Sequence, residues 1–563
     1  MSIISEAFVT PYVCGDTLIS MKDCYVKYTL AVILSCASLI SCGQTGQQQP
    51  LSTPSHQIPA TAIKNSPAIG FDSAQIISFF TRYPLLKANE RDVTDFYRRR
   101  SFSYAWFNNG VLIEQAGNLA TRILNFKSDG LGRSSPYQYV LDSLLNQIKS
   151  NSKGDGPDIQ LEIMLTAQYF NFSKAVYQGI DLSASRASGW LLPRKRVVYA
   201  SYLDSLLKAP DKLLTSKEPV YRQYELLRIF LKKYSQLAAE DKWQPIVPVK
   251  RLVLGDTSAI VQLVRSRLYK LADFKGDTLK NAYDAELQNG VKIFQDRHGL
   301  TVNGLLNKET LDELNVPLPT RIKQILVNME RSRWLPVSLN SDYVAVNIPE
   351  FKMHVYHADS LLWSCSVVVG KTQHPTTAFY GEIQYVVFSP YWNVPPGILT
   401  NEVLPGIKRN STYLQQHNME ITGYRDGLPV VRQKPGDDNS LGLVKFLFPN
   451  SYNIYLHDTP SKSLFGETSR AFSHGCIRIA EPAKFAGFLL KDDGIWDDKK
   501  ISQSMHAGKE RYVTLKKRVP VFIAYFTAFA DRAGHLNFRK DIYKLDERLA
   551  QMLVSGAGND LIQ

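Results

Sequence analysis

The pattern of apolar and polar residues divides the chain into a helical first half and a β-rich second half. From Phe71 to about Val249, apolar residues recur mostly at helical spacing, with aromatic insertions, which predicts a helical domain. Beyond Pro336 the period switches to two, as in "YVAVNIPEFKMHVY", and Pro and Gly residues punctuate the predicted strands. The pattern therefore predicts an α+β multidomain protein whose β-rich part is an antiparallel sheet or sandwich.

A compact unit of three predicted helices lies between these two halves, from Gly255 to Asn315. "GDTSAIVQLVRSRL" and "YDAELQNGVKIFQDRHGL" carry apolar residues at helical spacing, and Asn307 is placed to cap a third helix in "NKETLDEL". With its middle segment "FQDRHGLTVNG", this unit resembles the peptidoglycan-binding three-helix domain. The resemblance implies binding to the cell wall. A generic helical spacer, or a degenerate copy that no longer binds the wall, remains the alternative.

The N-terminal segment "MKDCYVKYTLAVILSCASLISCGQ" has two lysines ahead of an apolar run at about 30–40. Such a charged region followed by a short apolar region is typical of a secretion signal. Its end, "LISC", resembles a bacterial lipoprotein signal, which implies that Cys42 becomes the acylated first residue. A plain secretory signal or a membrane anchor remains the alternative. Met21 fits this signal better than Met1 as the start.

Charge and cysteine content narrow the class of function. Lys and Arg number 66 against 52 Asp and Glu, so the net charge of +14 favours anionic partners. No zinc-finger spacing or RNA-binding aromatic signature is present, so nucleic acid is not an expected partner and the wall or membrane is favoured. Without the signal region and the acylated cysteine, Cys365 and Cys476 remain. We expect Cys365 to be a small buried hydrophobe, because it sits in an apolar run.

Cys476 lies in "FSHGCIRI", downstream of His457 in "YLHDTP". Three interpretations compete: core residues, a zinc site made of two imidazoles and a thiolate, and a nucleophile with a histidine base. The histidine and cysteine spacing does not suit zinc, and no fourth ligand is evident. A glycine before the cysteine, Gly475, would let substrate approach backbone N–H groups that could bind an oxyanion. On an extended chain Arg478 would share a face with Cys476 and could hold a carboxylate. From the residues alone, either His457 or His474 could be the base.

The two motifs together resemble the signature of the L,D-transpeptidases. The run "YVVFSPYWNVPPGI", the peptidoglycan-binding unit and the helical region extend this resemblance to the large multidomain YcbB-like branch of that family. It implies that the cysteine attacks the carbonyl of the third stem residue and expels the terminal D-alanine. An amine of another stem then attacks the thioester and forms a 3-3 peptidoglycan cross-link. No cofactor or metal is expected, and carbapenems are expected to inhibit the enzyme.

The resemblance also implies roles for individual residues. Cys476 would be the nucleophile, and His457 the general base, oriented by a backbone carbonyl near Asp458. The oxyanion turn would be shaped by Ser473, His474 and Gly475, and the stem peptide would be bound by Arg478, Tyr455 and Trp392, although Trp392 could instead be core.

The predicted organisation follows from these features. It comprises a signal region at 1–42, a flexible tether at 43–70, a helical scaffold domain at 71–250, a peptidoglycan-binding-like domain at 251–317, a connecting helix at 318–340, a catalytic domain at 341–530 with a capping insertion at about 401–440, and a C-terminal extension at 531–563. We expect a periplasmic, membrane-anchored lipoprotein of the cell envelope that binds peptidoglycan stem peptides. Alternatives on the same site are an L,D-carboxypeptidase or a transpeptidase that anchors proteins to the wall; a non-catalytic wall-binding lipoprotein is a different class.

Overall fold

The computed structural model describes residues 70–557 except 133, 151–155, 209–217, 241, 248–250, 337–338 and 340. The predicted signal, Cys42 and residues 43–69 of the predicted tether lie outside the described residues. The described residues belong to one compact unit. Within the described part of the chain, no helix has the length and apolar character needed to cross a membrane.

The N-terminal region is mostly helical, as its apolar period predicts. Its helices are α1 (Ala74–Arg82), α2 (Glu90–Arg99), α3 (Glu114–Leu124), α4 (Gln138–Ser150), α5 (Ile159–Phe172), α6 (Leu182–Ala187), α7 (Tyr199–Lys208) and α8 (Arg222–Glu240). Three two-residue strands interrupt them: β1 (Phe107–Asn108), β2 (Val111–Leu112) and β3 (Trp190–Leu191). α5 is buried over nearly its whole length and forms the centre of this region.

The predicted three-helix unit is present as α9 (Ile260–Leu271), α10 (Ala285–Arg297) and α11 (Lys308–Leu314). The side chain of Asn307 accepts a hydrogen bond from the Thr310 N–H at 3.0 Å, so the predicted cap of α11 is confirmed. These helices enclose a hydrophobic cluster of their own. The next helix, α12 (Leu318–Trp334), is buried on nearly every side because other elements pack around it.

The β-rich part is built on a ten-stranded sheet. Its strands are β4 (Asp342–Asn347), β5 (Lys352–His357), β6 (Ser360–Gly370), β7 (Ala378–Phe388), β11 (Val444–Leu447), β12 (Leu456–His457), β13 (Ala471–Ser473), β14 (Ile477–Ile479) and β15 (Arg511–Ala524), with β3 from the helical region added to β7. The order is β11-β12-β14-β6-β5-β4-β15-β7-β3, and β11 also pairs with β7, so the path closes on itself.

The prediction of an antiparallel sheet is wrong in one respect, because the sheet is mixed. β12 and β14, β15 and β4, β13 and β6, and β3 and β7 pair in parallel. A period of two indicates which residues share a face of a strand, and it carries no information on the direction of the neighbouring strand.

The predicted capping insertion is a small subdomain. It holds β8 (Trp392–Asn393), β9 (Met419–Arg425) and β10 (Leu428–Gln433) in a three-stranded sheet, together with helical segments Pro396–Ile398, Leu399–Val403, Leu404–Arg409 and Tyr413–Gln416. Leu399, Val403 and Val431 form its separate hydrophobic cluster. The subdomain therefore begins at Trp392, ahead of the expected start near 401.

The chain returns after the insertion to complete the sheet and to pack against the helices. Helices α13 (Pro482–Leu490) and α14 (Asp498–Met505) precede β15, and the hairpin of β16 (Ala528–Ala530) and β17 (Leu536–Phe538) leads to α15 (Leu545–Ala557). In this C-terminal extension, Asp546 pairs with Arg331 of α12 at 2.5 Å, and the Leu536 carbonyl accepts a hydrogen bond from Arg297 of α10 at 2.8 Å.

Candidate active site

Two short strands carry the predicted catalytic residues. β12 and β14 pair in parallel, with Leu456 opposite Ile477 and His457 opposite Arg478. Leu456 and Ile477 are fully buried in the core. Since alternate side chains of a strand point to opposite faces, the residues flanking these two project from the other face. Tyr455, His457, Cys476 and Arg478 do line one cleft.

The cleft has a volume of about 550 Å³. The insertion and the segments that flank it form one wall, and the ends of β11, β12 and β14 form the floor. Besides the four residues named above, its lining consists of Tyr391, Trp392, Asn393, Val394, Pro395, Pro396, Ile398, Ser440, Leu441, Lys445, Leu447, Tyr452, Asn453, Ser473 and His474. The cleft therefore lies between the capping subdomain and the catalytic sheet.

Cys476 is half-buried at the floor of the cleft. Its Sγ donates to the Asn453 carbonyl oxygen at 3.4 Å. Burial raises the pKa of the Cys476 thiol, and this effect outweighs hydrogen bonds from Tyr455 and the positive charge of Arg478, which both act to lower it. The resting cysteine is therefore a neutral thiol at neutral pH.

His457 is almost completely buried, with 4% of its surface exposed. Its Nδ1 is hydrogen-bonded to the Asp458 backbone carbonyl. A carbonyl only accepts, so Nδ1 carries the proton and Nε2 presents a lone pair. The Asp458 carboxylate points elsewhere, because it accepts from the Leu443 N–H at 2.9 Å and pairs with Lys462. Burial and the Arg478 charge lower the pKa of His457 to about 4, so the imidazole is neutral.

The turn before Cys476 is held by hydrogen bonds of its own. Ser473 Oγ donates to the Cys476 carbonyl at 2.5 Å and accepts from the Gly475 N–H at 3.2 Å. Gly475 has φ +113°, a conformation that side-chain-bearing residues rarely adopt. Two backbone N–H groups were expected to face an oxyanion, but that of Gly475 is already used inside the turn. The Cys476 N–H has no protein acceptor among the described residues.

The two histidines have different surroundings. The His474 imidazole is partly exposed, and its Nε2 lies 3.3 Å from Glu402 Oε1 of the insertion. Its ring also faces His374, with the centroids 5.2 Å apart. Burial, followed by the charge of Lys371, lowers the pKa of His474. His474 thus contacts the capping subdomain, whereas His457 is fixed by a backbone carbonyl.

Arg478 is a cation without a counterion in the described part of the chain. Its side chain lines the cleft, and its buried Nε has no hydrogen-bond partner. Burial lowers the pKa of Arg478, which reflects the cost of holding this charge away from water. A half-buried guanidinium at a cleft favours an anionic ligand group there. Tyr455 and Trp392 also line the cleft and are half-buried, so Trp392 is not a core residue.

Comparison with known proteins gives this geometry its context. Residues 341–509 match the family model described as the L,D-transpeptidase catalytic domain, YkuD. Residues 341–509 are an L,D-transpeptidase catalytic domain. Residues 257–314 match the model described as "Putative peptidoglycan binding domain", and residues 91–231 match one described as "Scaffold domain". The resemblance inferred from the two sequence motifs is thereby confirmed, as is the predicted multidomain α+β fold.

The chain is also similar to single proteins that carry this domain. It is 28% identical over 325 residues to a "Putative L,D-transpeptidase" of Haemophilus influenzae. The alignment covers 53% of this chain and 65% of the relative, so this chain spans just under two thirds of the relative's length. Two similar crystal structures are L,D-transpeptidases of Stackebrandtia nassauensis and Xylanimonas cellulosilytica. The first is 14% identical over 51% of this chain and 99% of its own, with a TM-score of 0.21. The second is 15% identical, and the match covers 50% of this chain and 100% of that structure's chain, with a TM-score of 0.18.

Lys445 is a residue of the L,D-transpeptidase domain that the sequence interpretation missed. It lies on β11 directly opposite His457, is buried, and lines the cleft. Its Nζ donates to the Tyr391 carbonyl at 3.3 Å and lies 3.4 Å from Glu510. Burial lowers the pKa of Lys445. The sequence feature that could have identified Lys445 is its position as a single charged residue inside the apolar run "GLVKFLF".

Proposed function

We propose that the protein is a cysteine-dependent L,D-transpeptidase that forms 3-3 cross-links in peptidoglycan and releases the terminal D-alanine of a tetrapeptide stem. The proposal is supported most directly by the common face of β12 and β14, which presents Cys476, His457 and Arg478 to one cleft. This arrangement offers a nucleophile, a neutral base and an anion-binding group within an L,D-transpeptidase catalytic domain.

Acylation begins with transfer of the Cys476 proton to Nε2 of His457. Both groups are neutral at rest, so the proton moves as the sulfur attacks the carbonyl carbon of the third stem residue. A tetrahedral oxyanion forms, and the Cys476 N–H donates a hydrogen bond to it. The carbon–nitrogen bond to D-alanine then breaks, and the leaving amine takes the proton back from the imidazolium. A thioester remains on Cys476.

Deacylation reverses the proton path with a different amine. The side-chain amine of another stem attacks the thioester carbonyl, and His457 removes its proton. The carbon–sulfur bond breaks, the sulfur is reprotonated, and a 3-3 amide cross-link is released. Water in place of the amine would give a trimmed tripeptide, and a protein lysine would attach that protein to the wall.

Arg478, Tyr455 and Trp392 are proposed to bind the donor stem. The guanidinium has no counterion in the described residues, so a stem carboxylate would relieve the cost of its burial. The two aromatic side chains supply apolar surface with a polar tip, which suits a peptide that carries methylene chains and amides.

The other parts of the chain are proposed to hold the catalytic domain at its substrate. The unit at 257–314 would bind peptidoglycan, and a lipid on Cys42 would anchor the protein on the periplasmic side of the cell envelope. The net charge of +14 favours contact with the acidic wall. Cys42→Ala should abolish incorporation of a labelled fatty acid, and labelling that persists would contradict the anchor.

Mass spectrometry tests the chemistry directly. The protein is incubated with a carbapenem and, separately, with disaccharide-tetrapeptide, beside the variants Cys476→Ala, His457→Ala and, as the matched thiol control, Cys365→Ala. We expect covalent adducts that require Cys476, loss of D-alanine, and a 3-3 dimer. A trimmed tripeptide without dimer would favour an L,D-carboxypeptidase. Absence of any adduct with either compound would favour a non-catalytic wall-binding protein.

A further inference from the structure

The catalytic turn is tied to two residues that lie far from it in sequence. We propose that Thr376 and Tyr543 are positioning residues that aim the Cys476 N–H into the cleft as an oxyanion donor. This inference rests on the proposed acyl transfer. Tyr543 lies beyond the matched catalytic domain, in the C-terminal extension.

Thr376 holds the carbonyl of the residue that precedes the nucleophile. Its Oγ1 donates to the Gly475 carbonyl at 2.8 Å and accepts from the Gly370 N–H at 2.9 Å. Thr376 is 2% exposed, so no solvent competes for these bonds. The hydroxyl therefore has one donor and one acceptor in fixed directions.

Tyr543 fixes Thr376 in turn. Its hydroxyl donates to the Gly370 carbonyl at 2.5 Å and accepts from the Thr376 N–H at 3.2 Å. The Tyr543 N–H donates to the Tyr525 hydroxyl at 2.9 Å, and that hydroxyl donates to Asp541 at 2.6 Å. An unbroken series of hydrogen bonds thus joins the C-terminal extension to the catalytic turn.

The geometry of the peptide that joins Gly475 and Cys476 explains how these hydrogen bonds affect catalysis. The Gly475 carbonyl and the Cys476 N–H belong to the same planar trans peptide, so they point in opposite directions. Thr376 holds the carbonyl on the buried side, which turns the N–H away from the core. Since Gly475 has no side chain to restrict its backbone, the hydrogen bond from Thr376 supplies the restraint on this peptide plane.

The orientation of this peptide affects oxyanion binding because the N–H group of the neighbouring residue, Gly475, already donates a hydrogen bond within the turn. The Gly475 N–H donates to Ser473 Oγ at 3.2 Å, so of the two residues that share this peptide the Cys476 N–H is the one without a protein acceptor among the described residues. A donor contributes to catalysis only when it is aimed at the place where the oxyanion forms. Rotation of the 475–476 peptide would remove that alignment and leave the thiol in place.

Two reactions of Cys476 Sγ distinguish positioning of the oxyanion donor from a merely structural role of Thr376 and Tyr543. Acylation by a carbapenem forms the carbon–sulfur bond at the lactam carbonyl, passes through an oxyanion, and opens the ring with a proton passed to its nitrogen. Alkylation by iodoacetamide displaces iodide and forms no oxyanion. Both rates are measured on the full-length protein from the tryptic peptide at 471–478, which contains Cys476 as its single cysteine.

The variants are Thr376→Val, which removes the hydroxyl at nearly constant volume, the conservative Thr376→Ser, and Tyr543→Phe. Thr81→Val is the matched control, since Thr81 lies exposed on α1 and its hydroxyl donates to the Ile77 carbonyl of the same helix at 2.9 Å. We expect Thr376→Val to slow acylation by about 10- to 100-fold and to change alkylation by less than about twofold. Thr376→Ser should retain the acylation rate of the wild type, Tyr543→Phe should slow acylation selectively, and Thr81→Val should change neither rate.

Several outcomes would overturn the inference. Equal slowing of acylation and alkylation by Thr376→Val would mean that Thr376 affects the reactivity of the thiol or the integrity of the fold, and not the oxyanion donor. Unchanged acylation in a folded Thr376→Val protein would mean that the peptide plane needs no such restraint. If Thr376→Val fails to fold, by melting temperature, Tyr543→Phe decides between the same outcomes. A wild-type protein that is alkylated but never acylated would refute the proposed function and this inference together.

Discussion

Replacement of Arg478 by methionine should make Cys476 less reactive at neutral pH. Cys476 immediately precedes β14 and Arg478 lies two residues further on, on the same face of the extended chain, which places them about 7 Å apart. The positive charge of Arg478 lowers the pKa of the thiol against the opposing effect of burial. Methionine keeps most of the apolar stem and removes the charge, so the thiolate loses its nearest favourable electrostatic partner.

The expected size follows from Coulomb's law. Two unit charges about 7 Å apart interact by about 2.4 kcal/mol at an effective dielectric constant of about 20. Arg478 is half-buried, and water at the open side of the cleft screens part of this energy. About half of it remains, which corresponds to about tenfold less thiolate at a given pH.

The same substitution also raises the pKa of His457. Arg478 is the second cause, after burial, of the low pKa of His457, so its removal raises that pKa from about 4. The ordinary value for histidine is about 6.5, so the imidazole stays mostly neutral at pH 7 in the variant. It therefore does not replace the lost positive charge.

The assay is the rate of alkylation of Cys476 by iodoacetamide between pH 6 and 9. In the wild type the rate should rise about tenfold per pH unit without a plateau near neutrality, because the resting thiol is protonated. The Arg478→Met curve should be parallel and about tenfold lower. Arg91→Met is the matched control, since the Arg91 side chain is 93% exposed and far from the site in sequence.

Two results would refute this reasoning. A plateau of the wild-type rate below pH 7 would indicate a preformed thiolate–imidazolium pair, contrary to the pKa directions of both groups. An unchanged rate in Arg478→Met would mean that the guanidinium does not act on the sulfur. Cys365 does not interfere, because it is buried and its pKa is raised to about 11 by that burial.

Three further predictions concern the same turn and strand. Gly475→Val should abolish acylation and lower the free energy of unfolding by about 1 to 3 kcal/mol, because φ is +113° there; wild-type activity in a urea-stable variant would contradict this. Cys476→Ala should change the free energy of unfolding by less than about 1 kcal/mol, since the side chain is half-buried; a large fall in melting temperature would contradict it. His457→Gln should reduce acid sensitivity, because the pKa of His457 is about 4 when folded and about 6.5 when unfolded. As pH falls from 6.5 to 4, the free energy of unfolding of the wild type should fall by about 3 kcal/mol more than that of the variant, measured by urea titration; an equal loss in both proteins would contradict this.

The sequence by itself determined the local features of this protein. The helical period, the switch to a period of two, and the Asn307 cap are properties of neighbouring residues, and the structure contains all three. The common face of Cys476 and Arg478 also follows from strand alternation alone. The two short motifs were sufficient to predict the catalytic domain because they resemble the signature of the L,D-transpeptidases.

Only the tertiary structure decided the features that depend on partners distant in sequence. The surroundings of the two histidines are one such feature, because the fold buries His457 against a backbone carbonyl and turns His474 toward Glu402. The parallel pairing of β12 with β14 follows from the path of the chain between them, which a period of two does not record. Likewise Thr376 reaches the catalytic turn across 99 residues of sequence, and no local pattern marks a contact of that range.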